Sequence, residues 1–157
     1  MSQIARKAFK KDERLLQKRY CISDAKSAIR WFKQHANELG IDPKRIIAGG
    51  GSSGVHVCLL ATTNPGLNDP NDPKKYDTPV AAYVLFNPAL AARDSKEDPE
   101  VDFLQHLKAD FPPAIVFFGS EDKKWINRWS HAYTKMKSLG IQSAEVQNAE
   151  GQCHGSS

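Results

Sequence analysis

The stretch RIIAGGGSSGVHVCLLATT, residues 45–63, decides how the rest of the chain is interpreted. Three of its glycines, starting at Gly49, match G-x-G-x-x-G, a dinucleotide-binding pattern. Read one residue later, Gly50, Ser52 and Gly54 match G-x-S-x-G, the turn that presents a nucleophilic serine. Both patterns need a strand before the glycines and a helix after them, and an apolar run stands on each side here. The choice between phosphate binding and a serine nucleophile therefore depends on the rest of the chain.

Length and composition predict one soluble globular domain. The chain has 157 residues, of which 40% are hydrophobic and 25% are charged. No apolar run approaches the roughly 18 residues of a membrane span, and the N-terminus, charged from Arg6 onward, lacks the apolar stretch of a secretory signal. Three separated cysteines without a C-x-x-C pair argue against a zinc site or a disulfide framework. We therefore expect a cytoplasmic protein with no membrane span, metal or cofactor.

Positive charge is concentrated at the N-terminus. Residues 1–20 contain seven Lys or Arg and two acidic residues, whereas the whole chain has a net charge of +4. Such a segment is either a nucleic-acid-binding arm or a solvated helix, and its sparse aromatic residues favour the helix. We expect a basic segment over residues 1–20, a domain over residues 21–157, and no nucleic-acid partner.

Helix and strand patterns alternate along the chain. A first helix over residues 24–39 is expected to start after an N-cap at Ser23, to end at Gly40 and to bury an apolar face that includes Phe32 and Leu39. Further helices are expected at 53–62, 101–108 and 125–139, and strands at 45–49, 80–87, 112–119 and 142–147. Alternating strands and helices predict a mostly parallel sheet covered by helices on both faces.

Three of the predicted strands end in residues with hydrolytic chemistry. The first strand runs into GGGSSG, the third into GSEDK and the fourth into NAEGQCHGSS. Since ligands bind beyond the carboxyl ends of parallel strands, Ser52, Asp122 and His154 are expected at the same rim of the sheet. The chain order serine, acid, histidine is the order of α/β-hydrolases.

The sequence lacks an acidic residue that dinucleotide binding requires. Such binding needs an acidic residue about 20 positions later, at the end of the next strand, to bind a ribose hydroxyl. That strand ends in LFNPA, which contains no carboxylate. A P-loop is also excluded, because no Gly-Lys-Ser/Thr follows the glycines.

The chemistry of ester hydrolysis explains why these residue types occur together. A serine hydroxyl is a weak nucleophile unless an imidazole, here His154, removes its proton during attack. The imidazole in turn needs a carboxylate, here Asp122, to fix its tautomer and stabilise its positive charge. Ser53 is expected to supply its backbone N–H to an oxyanion hole at the helix N-terminus.

Several other residues are alternatives at this site. Glu121 could replace Asp122 as the acid, and Cys153 beside His154 could suggest a thiol nucleophile, although sequence neighbours rarely face each other. His56 lies one helical turn after Ser52 and is expected to pack behind it. The Asp- and Asn-rich loop 68–77 lacks the ligand spacing of a calcium loop and predicts a solvated turn. The remaining histidines are expected to be surface or core residues on helices: His35, His106 and His131.

The chain resembles bacterial α/β-hydrolase esterases of the acetyl-esterase/lipase type over residues 20–156. DAKSAIRWFKQHANELGIDPKRIIAGGGSSG resembles their nucleophile segment, PPAIVFFGSEDK their acid-bearing strand, EGQCHGS their histidine loop and VLFNP the strand between. The resemblance implies an α/β-hydrolase-like three-layer sandwich and a small-molecule ester substrate with a small acyl group. It also implies catalysis through an acyl-enzyme, with Ser52 as nucleophile, Asp122 as acid and His154 as base.

Within this resemblance the turn around Ser52 departs from the family pattern. The glycines Gly50, Gly51 and Gly54 surround the serine, and those at 50 and 54 are expected to permit its strained corner. The family usually has Ala and Gly where this chain has Ser53 and Val55, so the valine adds a side chain where the helix packs closely.

The chain also lacks recognisable parts of the family domain. No His-Gly-Gly-type loop with further oxyanion donors precedes Ser52, and the earlier strands of the family sheet are not recognisable. The resemblance is therefore to a truncated domain, in which residues 45–49 form an edge strand. We expect a partner chain, such as a second copy, or the N-terminal segment to cover this edge. An alternative function is a catalytically weak or inactive relative that acts as a binding domain.

Overall fold

The computed structural model describes residues 3–90, 96–141 and 144–154, and the side chains of residues 12–90, 96–141, 146 and 148–154. The helices are α1 (Gln3–Gln34), α2 (Ala36–Leu39), α3 (Ser53–Thr63), α4 (Phe103–His106) and α5 (Lys123–Ser138), with a 3-10 helix at Pro99–Val101. The strands are β1 (Ile47–Gly51), β2 (Ala82–Phe86), β3 (Ala114–Gly119) and β4 (Ala144–Ala149). The predicted alternation of strands and helices after residue 44 is confirmed, with shifted bounds. Residues 142–143 of the last predicted strand lie outside the described residues.

The four strands form one parallel sheet in the order β1-β2-β3-β4. Each strand lies beside the previous one, and right-handed crossovers therefore bring the connecting helices to the same face of the sheet. Burial agrees with this topology, because Tyr83, Leu85 and Val116 alternate toward the helices and are buried. Residues of opposite parity point to the other face, which we call the open face: Ile47, Val84, Phe86, Ile115 and Phe117.

The described part of the chain contains two layers. The core joins the helix-facing side of the sheet to α3 and α5, and α1 packs against α3. The predicted parallel sheet is confirmed. The sequence also predicted helices on both faces of this sheet. Among the described residues, the connecting helices cover one face only, because the consecutive strand order carries every crossover to the same side.

Helix α1 starts at Gln3, and Ser23, the predicted N-cap, lies in its interior. The predicted start was wrong because residues 3–34 contain no glycine or proline, so nothing in them ends a helix. The predicted end is confirmed, since Gly40 caps α2 with a φ of 66°. Among the described residues, no helix is both long and apolar enough to cross a membrane.

Helix α1 contacts the rest of the protein through Ile22 and several polar side chains, whereas part of the predicted apolar face is exposed. Phe32 and Leu39 are 46% and 43% exposed, whereas Lys26 is buried. The ammonium group of Lys26 donates hydrogen bonds to the carbonyl oxygens of Asn64 at 2.5 Å and Gly66 at 2.6 Å. The buried side of α1 therefore combines an apolar contact of Ile22 in the core with the bonds of Lys26 to the loop after α3.

The loop 68–77 binds basic side chains of α1. The Asp72 carboxylate accepts hydrogen bonds from Arg30 at 2.6 Å and from the Ser27 hydroxyl at 2.9 Å, and Asp77 pairs with Lys33. The prediction of a solvated turn was incomplete, because these carboxylates form contacts that attach α1. No group of three or more metal-ligating side chains occurs among the described residues.

Among the described strands, β1 is an edge of the sheet, as predicted, and it pairs with β2. Ile47 is 61% exposed on this strand. The N-terminal helix packs on α3 and does not pair with β1. The suggestion that the N-terminal segment covers the edge was therefore wrong for its described part.

Candidate active site

Ser52 forms a sharp turn between β1 and α3. Its φ of 52° and ψ of −120° lie in a region that side-chain-bearing residues rarely adopt. Its backbone N–H donates to the carbonyl of Phe86 at 2.9 Å, and its carbonyl accepts from the N–H groups of Val55 and Ala89, both at 3.2 Å. These three backbone bonds maintain the strained conformation, which is the kind of strain found at functional sites.

The close approach of β1 to α3 requires glycine at position 50. A Cβ atom there would lie 2.8 Å from the carbonyl carbon of Gly54. A Cβ at Gly54 would meet nothing within 4 Å, and one at Gly51 would lie 4.0 Å from the Phe86 oxygen. The expectation that both Gly50 and Gly54 permit the corner was thus wrong for Gly54. The side chain of Val55 is fully buried in the core.

The structure places the hydroxyl of Ser52, the imidazole of His154 and the carboxylate of Asp122 in one series of hydrogen bonds. The Oγ of Ser52 lies 2.8 Å from Nε2 of His154. The Nδ1 of the same imidazole lies 2.6 Å from Oδ2 of Asp122. The residues are 102 and 32 positions apart in sequence, and the parallel sheet brings them to one rim.

Asp122, rather than Glu121, contacts the imidazole. Asp122 precedes α5, and its side chain makes no capping hydrogen bond to that helix, which leaves the carboxylate available to His154. Its side chain is 4% exposed. The Glu121 carboxylate is 56% exposed and lies 3.4 Å from Lys123.

This arrangement fixes the role of each imidazole nitrogen. The Asp122 carboxylate accepts a hydrogen bond, so Nδ1 of His154 carries a proton. Nε2 of the neutral ring is then an acceptor for the Ser52 hydroxyl proton. The N–H of Ser53 is the first of α3 and has no acceptor within the helix. Together these groups can generate a serine nucleophile beside the N–H donor of Ser53.

His56 lies behind the turn and bonds to groups outside the set formed by Ser52, His154 and Asp122. Its side chain is buried, its Nε2 lies 2.8 Å from the carbonyl oxygen of Val101, and its Nδ1 lies 3.2 Å from the Lys18 ammonium. Burial, together with the nearby Lys18 charge, lowers the pKa of His56 from 6.5 to about 4. His56 is consequently neutral at pH 7 and packs behind Ser52, as predicted.

The other histidines lie apart from the hydrogen-bonded chain. Nδ1 of His35 bonds to the carbonyl of Trp31, and Nε2 of His106 to the carbonyl of Glu100. His131 is exposed on α5. Each lies on or beside a helix, as the sequence predicted.

Two neighbours of His154 were missed by the sequence analysis. The Trp125 ring lies 5.6 Å from the imidazole, and Lys124 and Arg128 lie over its indole. The side-chain amide of Asn87 donates to the His154 carbonyl at 3.1 Å. The available signal for Asn87 was its position directly after a strand, at the rim where the other site residues were expected.

Comparison with known proteins finds similarity to esterases. The BD-FAE family model matches residues 17–88. LipM of Mycobacterium tuberculosis, a probable carboxylic ester hydrolase, is 33% identical over 129 residues, covering 64% of this chain and 30% of LipM.

Solved structures of esterase 2 from Thermogutta terrifontis have a similar fold. The form phosphorylated by paraoxon has a TM-score of 0.77 and 36% identity, covering 88% of this chain and 54% of that one. The propionate-bound form has a TM-score of 0.75 and 34% identity, covering 86% and 55%. The chain thus spans about half the length of these esterases. The predicted α/β-hydrolase-like fold class is confirmed, and so is the resemblance to α/β-hydrolase esterases over the part of those proteins that this chain matches.

Proposed function

We propose that this chain carries the catalytic residues of a serine carboxylic-ester hydrolase, with Ser52 as nucleophile, His154 as base and Asp122 as acid. The observation that carries the proposal is the continuous hydrogen-bonded chain from the Ser52 hydroxyl through the imidazole to the carboxylate, at 2.8 and 2.6 Å. The strained backbone of Ser52 supports it, because such strain places the hydroxyl at the top of a strand-to-helix turn.

The proposed reaction follows from the position of each group. Ser52 Oγ attacks the ester carbonyl carbon while Nε2 of His154 takes the hydroxyl proton, and the Ser53 N–H stabilises the oxyanion. The tetrahedral intermediate then expels the alcohol, which receives the proton from His154 and leaves an acyl-serine. Water, deprotonated by the same nitrogen, releases the carboxylic acid and restores Ser52. Asp122 stays ionised and stabilises the transient imidazolium.

The substrate class we propose is an ester with a small acyl group. Thermogutta terrifontis esterase 2, which this chain resembles, has been solved with propionate bound.

Hydrolysis of p-nitrophenyl acetate tests the proposal. We expect turnover by the wild-type chain and its loss in Ser52→Ala, because, among the described residues, Ser52 is the serine whose hydroxyl lies at hydrogen-bond distance from an imidazole. The matched control is Ser130→Ala, which removes an exposed hydroxyl on α5 that bonds to its own helix. Wild-type turnover that survives in Ser52→Ala contradicts the assignment.

A second candidate function is a non-catalytic relative that binds a partner. The observations that favour it are the apolar open face and the unpaired edge of β1, together with a chain that spans about half the length of the esterases. Under this second hypothesis, a second copy of the chain pairs along residues 45–49. A chain inert to p-nitrophenyl acetate but dimeric in solution favours this candidate over the enzyme.

We place the protein in the cytoplasm. No disulfide joins Cys21, Cys58 and Cys153, and Cys21 and Cys153 are exposed. Exposed thiols persist in reducing compartments, which supports this location. Fractionation of the native cell beside a cytoplasmic marker tests it, and recovery of the protein outside that fraction contradicts it.

A further inference from the structure

Asn87 has an unusual backbone conformation at the rim of the sheet. It directly follows β2 and has a φ of 45°, which asparagine tolerates better than most side-chain-bearing residues. Its N–H donates to the carbonyl of Phe117 at 2.8 Å, so it continues the pairing between β2 and β3. The chain turns here and directs the side chain along the edge where the strands end.

The side-chain amide of Asn87 bonds to two other segments. Its oxygen accepts from the N–H of Gly119 at 3.2 Å, at the end of β3, and its nitrogen donates to the carbonyl of His154 at 3.1 Å. The two partners fix the orientation of the amide, because the reversed orientation sets donor against donor and acceptor against acceptor. The amide therefore links the strand that leads to Asp122 with the loop that carries His154.

The histidine loop lies directly on the end of β3. A Cβ atom at Gly119 would lie 2.2 Å from the carbonyl oxygen of Gln152, so only glycine allows this approach. The N–H of Glu121 donates to the same Gln152 oxygen at 2.9 Å. These contacts fix the loop as far as residue 152, and the Asn87 amide adds a main-chain contact at His154 itself.

We propose that Asn87 is a positioning residue, which holds the main chain of His154 so that its imidazole bonds to Ser52 and Asp122 at the same time. Both imidazole bonds are short, and a displacement of about 1 Å in such a site can reduce the rate about 100-fold. The proposal rests on the proposed esterase function and assigns a part of its machinery that touches neither substrate nor reacting atoms.

Two substitutions distinguish the effect of the Asn87 side-chain donor from the effect of its backbone conformation. Asn87→Gly keeps the left-handed φ and removes both side-chain bonds. Asn87→Asp keeps the shape and the acceptor for Gly119 but cannot donate to His154. We expect both to lower kcat for p-nitrophenyl acetate about 10- to 100-fold with KM changed less than about threefold. If Asn87→Asp keeps wild-type kcat, the donor to His154 has no positioning role and the proposal is overturned.

Proton NMR gives a second readout that does not depend on ester turnover. The proton between Nδ1 of His154 and Asp122 is expected as a downfield resonance in the wild type, absent in His154→Gln. We expect it to be lost or broadened in both Asn87 variants and kept in Asn71→Gly, which removes an amide from an exposed turn. A sharp, unshifted resonance in folded Asn87→Gly overturns the proposal. If the wild type hydrolyses no ester, the esterase proposal fails while this resonance still tests Asn87.

Discussion

At the scale of single residues, the site depends on a strained serine. A side-chain-bearing residue at the φ and ψ of Ser52 costs on the order of 1–3 kcal/mol, and it persists only where the surrounding structure imposes it. Here the backbone bonds to Phe86, Val55 and Ala89 impose it. The strained conformation places the hydroxyl 2.8 Å from the His154 imidazole.

Gly50→Ala tests the close packing that supports this turn. The new Cβ would lie 2.8 Å from a backbone carbon of Gly54, so β1 or α3 must move, and we expect a loss of about 1–3 kcal/mol in the free energy of unfolding. Gly54→Ala is the matched control. Its Cβ meets nothing within 4 Å, so unfolding should require the same free energy or slightly more. Urea unfolding of both variants measures the difference, and equal stabilities contradict the account.

The convergence of Ser52, Asp122 and His154 could be predicted from their positions directly after strands of a parallel sheet. Each follows a parallel strand, and the ends of parallel strands share one rim. Asn87 and Trp125 could not be assigned in the same way. Their contacts with His154 depend on the turn after β2 and on the path of the histidine loop, which no local pattern encodes.

At the scale of elements, α1 is attached through charged and polar contacts. The Arg19 guanidinium donates to both oxygens of Asp98 at 2.7 and 2.8 Å, and this hydrogen bonding holds the pKa of Asp98 below its ordinary value. One residue earlier, Lys18 contacts His56 of α3, whose other nitrogen bonds to Val101. These contacts join α1, α3 and the 3-10 helix.

The burial of His56 predicts a loss of stability in mild acid. Its pKa is about 4 in the folded protein and about 6.5 when exposed, so between these values the unfolded chain binds a proton that the folded chain does not. The free energy of unfolding should fall as the pH is lowered from 6.5 to 4, by up to about 3 kcal/mol from this group. Urea unfolding at several pH values measures this decline.

His56→Gln provides the reference for that experiment. Glutamine can still donate a hydrogen bond to the Val101 carbonyl but does not titrate, and the other groups contribute equally to both proteins. We expect the stability of the wild type to fall more steeply than that of the variant between pH 6.5 and 4. Parallel curves would show that His56 does not titrate with the lowered pKa.

The elements themselves were predicted unevenly, for a physical reason. The first three strands have apolar runs with clear boundaries, so β1, β2 and β3 were located to within two residues. The start of α1 was missed because its first half has no apolar periodicity and no breaker. Its polar attachment depends on carboxylates more than 40 positions away, such as Asp72 opposite Arg30, and a local window does not contain both partners.

At the scale of the whole molecule, one face and one edge of the sheet remain uncovered among the described residues. The open face includes Phe86, 49% exposed and stacked on Phe117, and Ile47, 61% exposed at the edge strand. An apolar face beside unpaired backbone groups favours association with another chain.

We expect the chain to self-associate in a concentration-dependent manner. Ile47→Lys places a charge on both the edge and the open face, and should shift the chain toward monomer in sedimentation velocity. Leu16→Lys is the control, because it exchanges an equally accessible apolar side chain on α1, remote from the sheet edge. A wild type that stays monomeric at all concentrations contradicts pairing through this edge.

The central claim is that His154 and Asp122 activate the hydroxyl of Ser52, and labelling with a fluorophosphonate probe tests it most directly. The probe reacts with an activated serine and reports hydroxyl, base and access in one step. We predict one adduct per wild-type chain, located by peptide mass spectrometry at Ser52, and none in Ser52→Ala or His154→Ala. A folded wild-type chain that takes up no probe, or carries it on another serine, contradicts the account.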